Sequence, residues 1–542
     1  MNTTDVLEAD YLVLGGGTAG CVLAARLSES GEHSVILVEA GGSAQSERFR
    51  VPGAAAFNLG NPRFDWCYQT PPDPTINGRQ FDWSAGKVLG GGSSVNGLVY
   101  IRGLPSDFER WDVQCGGASG WCYKDILPFF LQAETFCDRS ADYLGREGPQ
   151  KVSNPPRPHV LLDAFLRAGA EAGYPITDLN GPQPEGIGPA DSSQLRGRRA
   201  STYECYLKPA LSRPNLRVLT DTEVERVLLD GKRAVGAQAR RKGSPLRLSA
   251  HREVLTAAGA IGSPALLLKS GIGPAAELGK AGVACRHELP GVGGNLQEHS
   301  GSGVAKYVNV ATLNSQRGPF SGLKLLLDYY LRRTGPLASP IVQGMGFIRT
   351  REHLDHPDVQ LHFLPFGYVI QPHSRSAMTA FQPRHNAMML TVTLCKPRAR
   401  GRVRLGDGPG GVLVDHQMFG DEEDVQTLVR GLKVAESFYQ QPALKPHVVG
   451  ELSPERTPES DRDWDSYLRA ISNIGYHFCG TCRMGVQGDA DAVVDTALRV
   501  KGIAGLRVVD ASIMPEVTSG NTSATVIAIA EKAAAMILAG DC

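Results

Sequence analysis

Tyr11-Leu12-Val13-Leu14 is a short continuous apolar run, the pattern of a buried strand, and a glycine-rich turn follows it at once. Cys21 to Leu27 then has the spacing of a helix, and Ser34 to Val38 forms a second apolar run that ends at Glu39. Farther on, Glu253 to Thr256 reads as a strand leading into a glycine-rich stretch, Gly259 to Gly273, where Ser263-Pro264 suits the opening of a helix. Between Ser300 and Asn473 the apolar runs are strand-like, Val359 to Phe363 and Met388 to Leu394 among them, and Pro- and Gly-rich stretches join them, which predicts a sheet. Ile527 to Lys532 predicts a final helix.

The first of these patterns carries chemistry. Gly15, Gly17 and Gly20 occupy the positions of a G-x-G-x-x-G turn, with Gly16, Thr18 and Ala19 between them. Bare glycines let the backbone approach a pyrophosphate, the following helix N-terminus favours its negative charge, and an acid about 20 residues on accepts ribose hydroxyls. Glu39, followed by Ala40, stands at that place. Strand, turn, helix, strand and acid together predict dinucleotide binding, with FAD and NAD both open at this point.

Composition narrows the partners. Lys plus Arg and Asp plus Glu balance at 56 each, so no global field points to nucleic acid or an anionic surface, and a small neutral ligand fits better. With 542 residues and 42% hydrophobic content, the chain exceeds the size at which one core usually divides, and two interdigitated domains are expected. No apolar stretch reaches the roughly 20 residues of a membrane span. Met1 to Asp10 shows no basic-then-apolar leader, and eleven scattered cysteines suit reduced thiols, so a cytoplasmic location is expected.

A second glycine-rich loop, Gly86 to Asn96, is too long and too rich in hydroxyls for a hairpin turn. This loop and the Gly259 to Gly273 stretch resemble the two signature segments of the glucose-methanol-choline (GMC) oxidoreductase family. So do Gly294-Asn295-Leu296-Gln297-Glu298-His299, the run His477 to Gly485, and Val509 to Pro515. The pattern is similar to bacterial choline and alcohol dehydrogenase-like members. The resemblance implies an α/β chain: a doubly wound, Rossmann-like FAD domain with an inserted α+β substrate domain built on an antiparallel sheet. The expected boundaries give FAD-domain pieces at 1–150, 201–300 and 474–542, with substrate-domain pieces at 151–200 and 301–473.

The cofactor set that the resemblance implies comprises the Gly15 to Gly20 turn, Glu39 and Ala40. It continues with Gly86, Leu89, Gly90, Gly97 and Val99, with Gly91, Ser94, Val95 and Asn96 along the ring, and Val224 at the adenine end. Asp510 and Ala511 lie near the pyrophosphate and ribityl chain, and Ala258, Gly259, Ser263, Asn521 and Thr522 complete the set. Some relatives attach FAD through a histidine of the second loop; Val95 stands there, so dissociable FAD is expected. No metal is expected.

An alcohol gives up hydride readily only if its hydroxyl proton leaves too, and His477 is the candidate base. The family pairs this histidine with His or Asn before the last helix. Counted back from that helix, the position falls on Ser523, a departure from the family pattern, and Ser523 is equally readable as a helix cap. Asn521 is the substitute, although family register gives it a flavin contact. The expected reaction is oxidation of a primary alcohol, an aromatic, heterocyclic or aliphatic methanol, to its aldehyde. Oxygen, a quinone or another carrier takes the electrons, and the oligomeric state is open.

Two alternatives stay beside this. One is a non-dehydrogenating member of the same family, a lyase or photodecarboxylase, with His477 weighing against the latter. The other is a thiol-disulfide flavoenzyme using Cys479 and Cys482, for which packing beneath the flavin is the default reading. Lys396, Arg398, Arg400, Arg402 and Arg404 alternate as on one face of a solvated edge strand. Phe363, Phe366, Tyr368 and Phe478 are candidates for an apolar pocket.

Overall fold

The computed structural model describes residues 6–316, 319–371, 374–375 and 380–540. The Tyr11 to Leu14 run lies in the strand Val6–Leu14, where Leu12 and Val13 are fully buried, as a strand covered on both faces requires. It sits inside a seven-stranded sheet ordered Leu216–Leu219, Val35–Val38, Val6–Leu14, Ser244–Thr256, Arg233–Arg241, Thr222–Asp230. Leu506–Val508 joins the far half of Ser244–Thr256 in parallel, so the sheet is completed by residues from both ends of the chain. The central pairs are parallel and the last two antiparallel. The helices Thr18–Leu27 and Ser523–Leu538 pack on each other beside this sheet.

A second seven-stranded sheet, antiparallel, runs Val448–Ser453, Ser300–Val308, Ala387–Leu394, Val359–Leu364, Gly344–Ile348, Gly186–Pro189. Asn473–Ile474 pairs with the start of Ser300–Val308. The amphipathic helix Glu422–Tyr439 buries Val425, Leu428, Val429 and Leu432 in the core that this sheet shares. The architecture is thus the doubly wound plus antiparallel α/β arrangement expected. No described helix is long and apolar enough to cross a membrane.

Three local expectations are corrected. The helix after Thr256 begins at Gly259, not at Ser263, and runs to Lys269 with Pro264 inside it. Pro264 has no N–H to offer the Ala260 carbonyl, and the Thr481 hydroxyl takes that place at 2.5 Å. The alternating cations do not share a strand face: only Arg402–Leu405 is extended, and the others turn to separate partners. Lys396 pairs with Asp107 and Glu516, Arg398 with Asp421, and Arg400 donates to Asn295 Oδ1. Finally, Phe363 is core, stacked on Phe165 at 5.2 Å, and does not line a pocket.

Candidate active site

One cavity of about 530 Å³ lies between the two sheets and joins nearly every candidate residue. At one end, Gly15, Gly17, Thr18 and Ala19 line it beside Glu39, Ala40 and Val224. Gly15 has φ +113°, and an added Cβ would stand 2.5 Å from the Ala257 carbonyl oxygen, so only glycine fits this turn. Both Glu39 oxygens accept backbone N–H groups, from Gly16 at 2.9 Å and Gly41 at 2.8 Å. Burial raises the Glu39 pKa above the usual carboxylate range.

The second loop supplies the middle of the wall through Gly86, Gly91, Val95, Asn96, Gly97 and Val99, with Gly92–Val95 forming a single helical turn. Opposite stand Ala258, Gly259, Asp510 and Ala511. Asp510 accepts from the Gly259 N–H at 2.9 Å and the Ser512 N–H at 2.8 Å, which ties two distant segments together.

Gly16, Gly20, Leu89, Gly90, Ser94 and Ser263 of the expected cofactor set shape this wall from behind and do not face the cavity. Gly20 sits where a Cβ would meet the Gly15 carbonyl, allowing helix and strand to touch. Gly90 donates its N–H to Gly16 O at 2.7 Å, joining the two glycine loops. Ser94 bonds Leu89 O at 2.8 Å, folding its own loop, and Ser263 bonds Asp510 at 2.5 Å.

At the other end lies His477. Segment 297–299 runs against 475–479: Gln297 and Cys479 exchange backbone bonds at 3.1 Å, and Gly475 N–H donates to His299 O at 2.8 Å. Glu298, fully buried, accepts the Gly475 N–H at 3.1 Å and the His477 N–H at 2.7 Å. Burial pushes its pKa up to about 8, against these backbone bonds. Tyr476 holds φ +62°, a conformation that costs an aromatic residue about 1–3 kcal/mol and persists here between these clamps.

His477 Nε2 lies 2.9 Å from Asn521 Nδ2, and His477 Nδ1 lies 3.0 Å from His299 Nδ1. Gln360 donates to Asn521 Oδ1 at 3.4 Å. Burial, and then the neighbouring His299 and His362, hold the His477 pKa well below 6.5. The imidazole is therefore neutral near neutral pH.

Ser523, the expected partner, lines the same cavity but stands two residues beyond the side chain that reaches the imidazole. It is the first residue of Ser523–Leu538, and the N-cap is Thr522, without a side-chain capping bond. Ser523 is two residues, about half a helical turn, beyond Asn521, because the helix starts at Ser523. His299, His362 and Gln360 were not singled out from the sequence. His299 closes a recognised motif, which was its only signal; the two strand residues had none.

Cys479 and Cys482 are free, fully buried and part of the core, with burial raising both thiols above their ordinary pKa. That environment suppresses the thiolate that disulfide chemistry needs. Among the described residues, no group of His, Cys, Asp and Glu is arranged to hold a metal.

A family model described as GMC oxidoreductase matches the N-terminal part at residues 9–301, and a second matches residues 397–530. The chain belongs to the GMC oxidoreductase family. It is 39% identical to mitochondrial choline dehydrogenase of Homo sapiens over 98% of this chain and 90% of that protein. It is 36% identical to the oxygen-dependent choline dehydrogenase of Brucella anthropi, over 98% of this chain and 96% of that one. Among solved structures, pyridoxine 4-oxidase from Mesorbium loti matches with TM-score 0.87 and 30% identity, covering 98% of this chain and 99% of that one. A formate oxidase matches with TM-score 0.91 at 24% identity over 99% of each chain, a likeness of fold.

As a GMC oxidoreductase, the protein is a flavoprotein that binds FAD and acts on CH–OH donors. The residues present fit that cofactor. Bare glycine backbone and the N-terminus of Thr18–Leu27 line one end of the cavity, which suits a pyrophosphate, and Gly86, Gly91, Gly92 and Gly97 keep side chains off its middle wall.

Proposed function

We propose that this GMC oxidoreductase oxidises a primary alcohol to its aldehyde, with His477 as general base and Asn521 as its polar partner. Bound FAD supplies the acceptor for the hydride leaving the carbinol carbon. The hydroxyl proton passes to His477 Nε2, the O–H bonding pair closes the C=O double bond, and the C–H pair leaves with the hydride. The 2.9 Å bond between Asn521 Nδ2 and His477 Nε2 carries this reading. A substrate hydroxyl entering there replaces the amide as donor to Nε2 and receives the amide N–H on its own oxygen, where negative charge develops.

FAD is held without a covalent link in this reading, because Val95 has no nucleophile to offer. The electron acceptor after reduction is oxygen, a quinone or another carrier. Anaerobic stopped-flow spectroscopy tests the proposal: candidate alcohols bleach the flavin of the wild type, and His477→Ala slows bleaching by about 10²–10⁴-fold. Equal rates in the two proteins would remove His477 from the reaction.

A further inference from the structure

We propose that the substrate is an uncharged primary alcohol with an apolar body, and that a quaternary ammonium alcohol such as choline is a poor substrate. This rests on the reading of His477 as base. The argument comes from the walls of the catalytic end. The antiparallel sheet contributes Gly301, Ser302, His362, Leu364, Met389 and Thr391 there, and Tyr368, Tyr476 and Phe478 add aromatic faces. Among the described residues, no Asp, Glu, Lys or Arg lines this end, and behind His299 the Lys396 and Asp107 charges offset each other as a pair.

The acids that do line the cavity, Glu39, Glu223 and Asp510, flank the glycine turn and the pyrophosphate position. Lys269 is bound to Gly410 O at 2.7 Å. Glu298, next to His299 in sequence, spends its oxygens on the Gly475 and His477 N–H groups and is absent from the wall. A fixed cation entering this end would therefore lose water without gaining a counter-charge.

Aromatic faces recover part of that loss in the bound state. The reaction removes the gain. Taking the hydroxyl proton makes His477 an imidazolium, and a trimethylammonium group one carbon from the reacting carbon would sit beside it in the same buried space. His362 and His299 are neutral neighbours and supply no negative charge. Like charges raise the barrier more than they weaken binding, so the penalty falls on turnover as well as on affinity.

Choline and 3,3-dimethylbutan-1-ol, which carries carbon where choline carries nitrogen, form the deciding pair. With the FAD-loaded enzyme and an artificial acceptor, the neutral isostere is expected to exceed choline in kcat/KM by about tenfold or more. Thr391→Asp puts a carboxylate on the wall and should shift the ratio toward choline, whereas Thr391→Asn, of equal size, should not. The flavin spectrum reports whether either variant keeps its site, and the wild-type ratio decides the matter if one does not. Choline oxidised as well as the isostere would overturn the inference while leaving alcohol oxidation intact. If no alcohol bleached the flavin, the reading of the reaction itself would fall, and this inference with it.

Discussion

The Nδ1 atoms of His477 and His299 lie 3.0 Å apart, with the rings edge to face at 80°. Two imidazole nitrogens at this distance share one proton. With Asn521 Nδ2 donating to His477 Nε2, that proton belongs to His477 Nδ1 and His299 Nδ1 accepts it. His299 then carries its own proton on Nε2, a buried atom on the side of the Cys395 backbone. The pair fixes the tautomer that leaves a lone pair on His477 Nε2.

The pH profile should show this. Because His477 is held well below 6.5, the rate constant for flavin reduction should stay flat from neutral to alkaline pH and fall only in acid. His299→Gln removes a ring whose charge lowers the His477 pKa, while the glutamine carbonyl can keep accepting from Nδ1–H, so the acid limb should move upward in pH. An unmoved limb in stopped-flow measurements would show that His299 does not act on the base.

Asn521 and Ser523 can be told apart by truncation. Asn521→Ala should slow flavin reduction by about 10²-fold, the loss typical of one donor to a developing oxyanion. Ser523→Ala should change it little, since the amide makes the contact. The reverse ranking would return the partner role to Ser523.

Acid stability should report His362. Burial lowers its folded-state pKa to about 4, whereas the unfolded chain protonates it near 6.5. Between those values the unfolded state holds more protons, so this contribution is intact above 6.5 and is lost as pH falls toward 4. Glu298 works in the opposite sense: raised from 4.5 to about 8, its contribution is lost as pH rises through that window. Urea unfolding of wild type and His362→Gln isolates the histidine. The difference should move in favour of the variant by up to about 1.4 kcal/mol per pH unit below 6.5. A constant difference would refute the assignment.

Cofactor attachment is checked by denaturation. Acid precipitation should release all FAD into the supernatant, as Val95 offers no bond. Gly15→Ala should purify with little flavin, because its Cβ has no room beside Ala257 O. Flavin retained in the pellet would disprove the first expectation.

Most of the cofactor end was legible because its physics is local: a strand, a turn that tolerates only glycine, a helix and an acid follow one another within Val6 to Glu39. His477 was legible through its motif. The surroundings of His477 were not, since His299, Gln360 and His362 reach it by strand register between segments far apart in sequence. The cation row misled for the same reason. Alternation signals a strand face only when the chain is extended, and Lys396 to Arg400 are instead captured singly by Asp107, Glu516, Asp421 and Asn295.

The pairing of Leu506–Val508 with Ser244–Thr256 has a consequence for biosynthesis. A ribosome delivers the glycine turn before the sheet's last parallel strand, which Asp510 and Asn521 follow. A nascent chain therefore has no complete flavin cradle until Leu506–Val508 and the residues after it have emerged. The Val254 to Thr256 edge of the central strand stays open until then, so the site closes late, and its yield should respond to chaperones and to flavin supply.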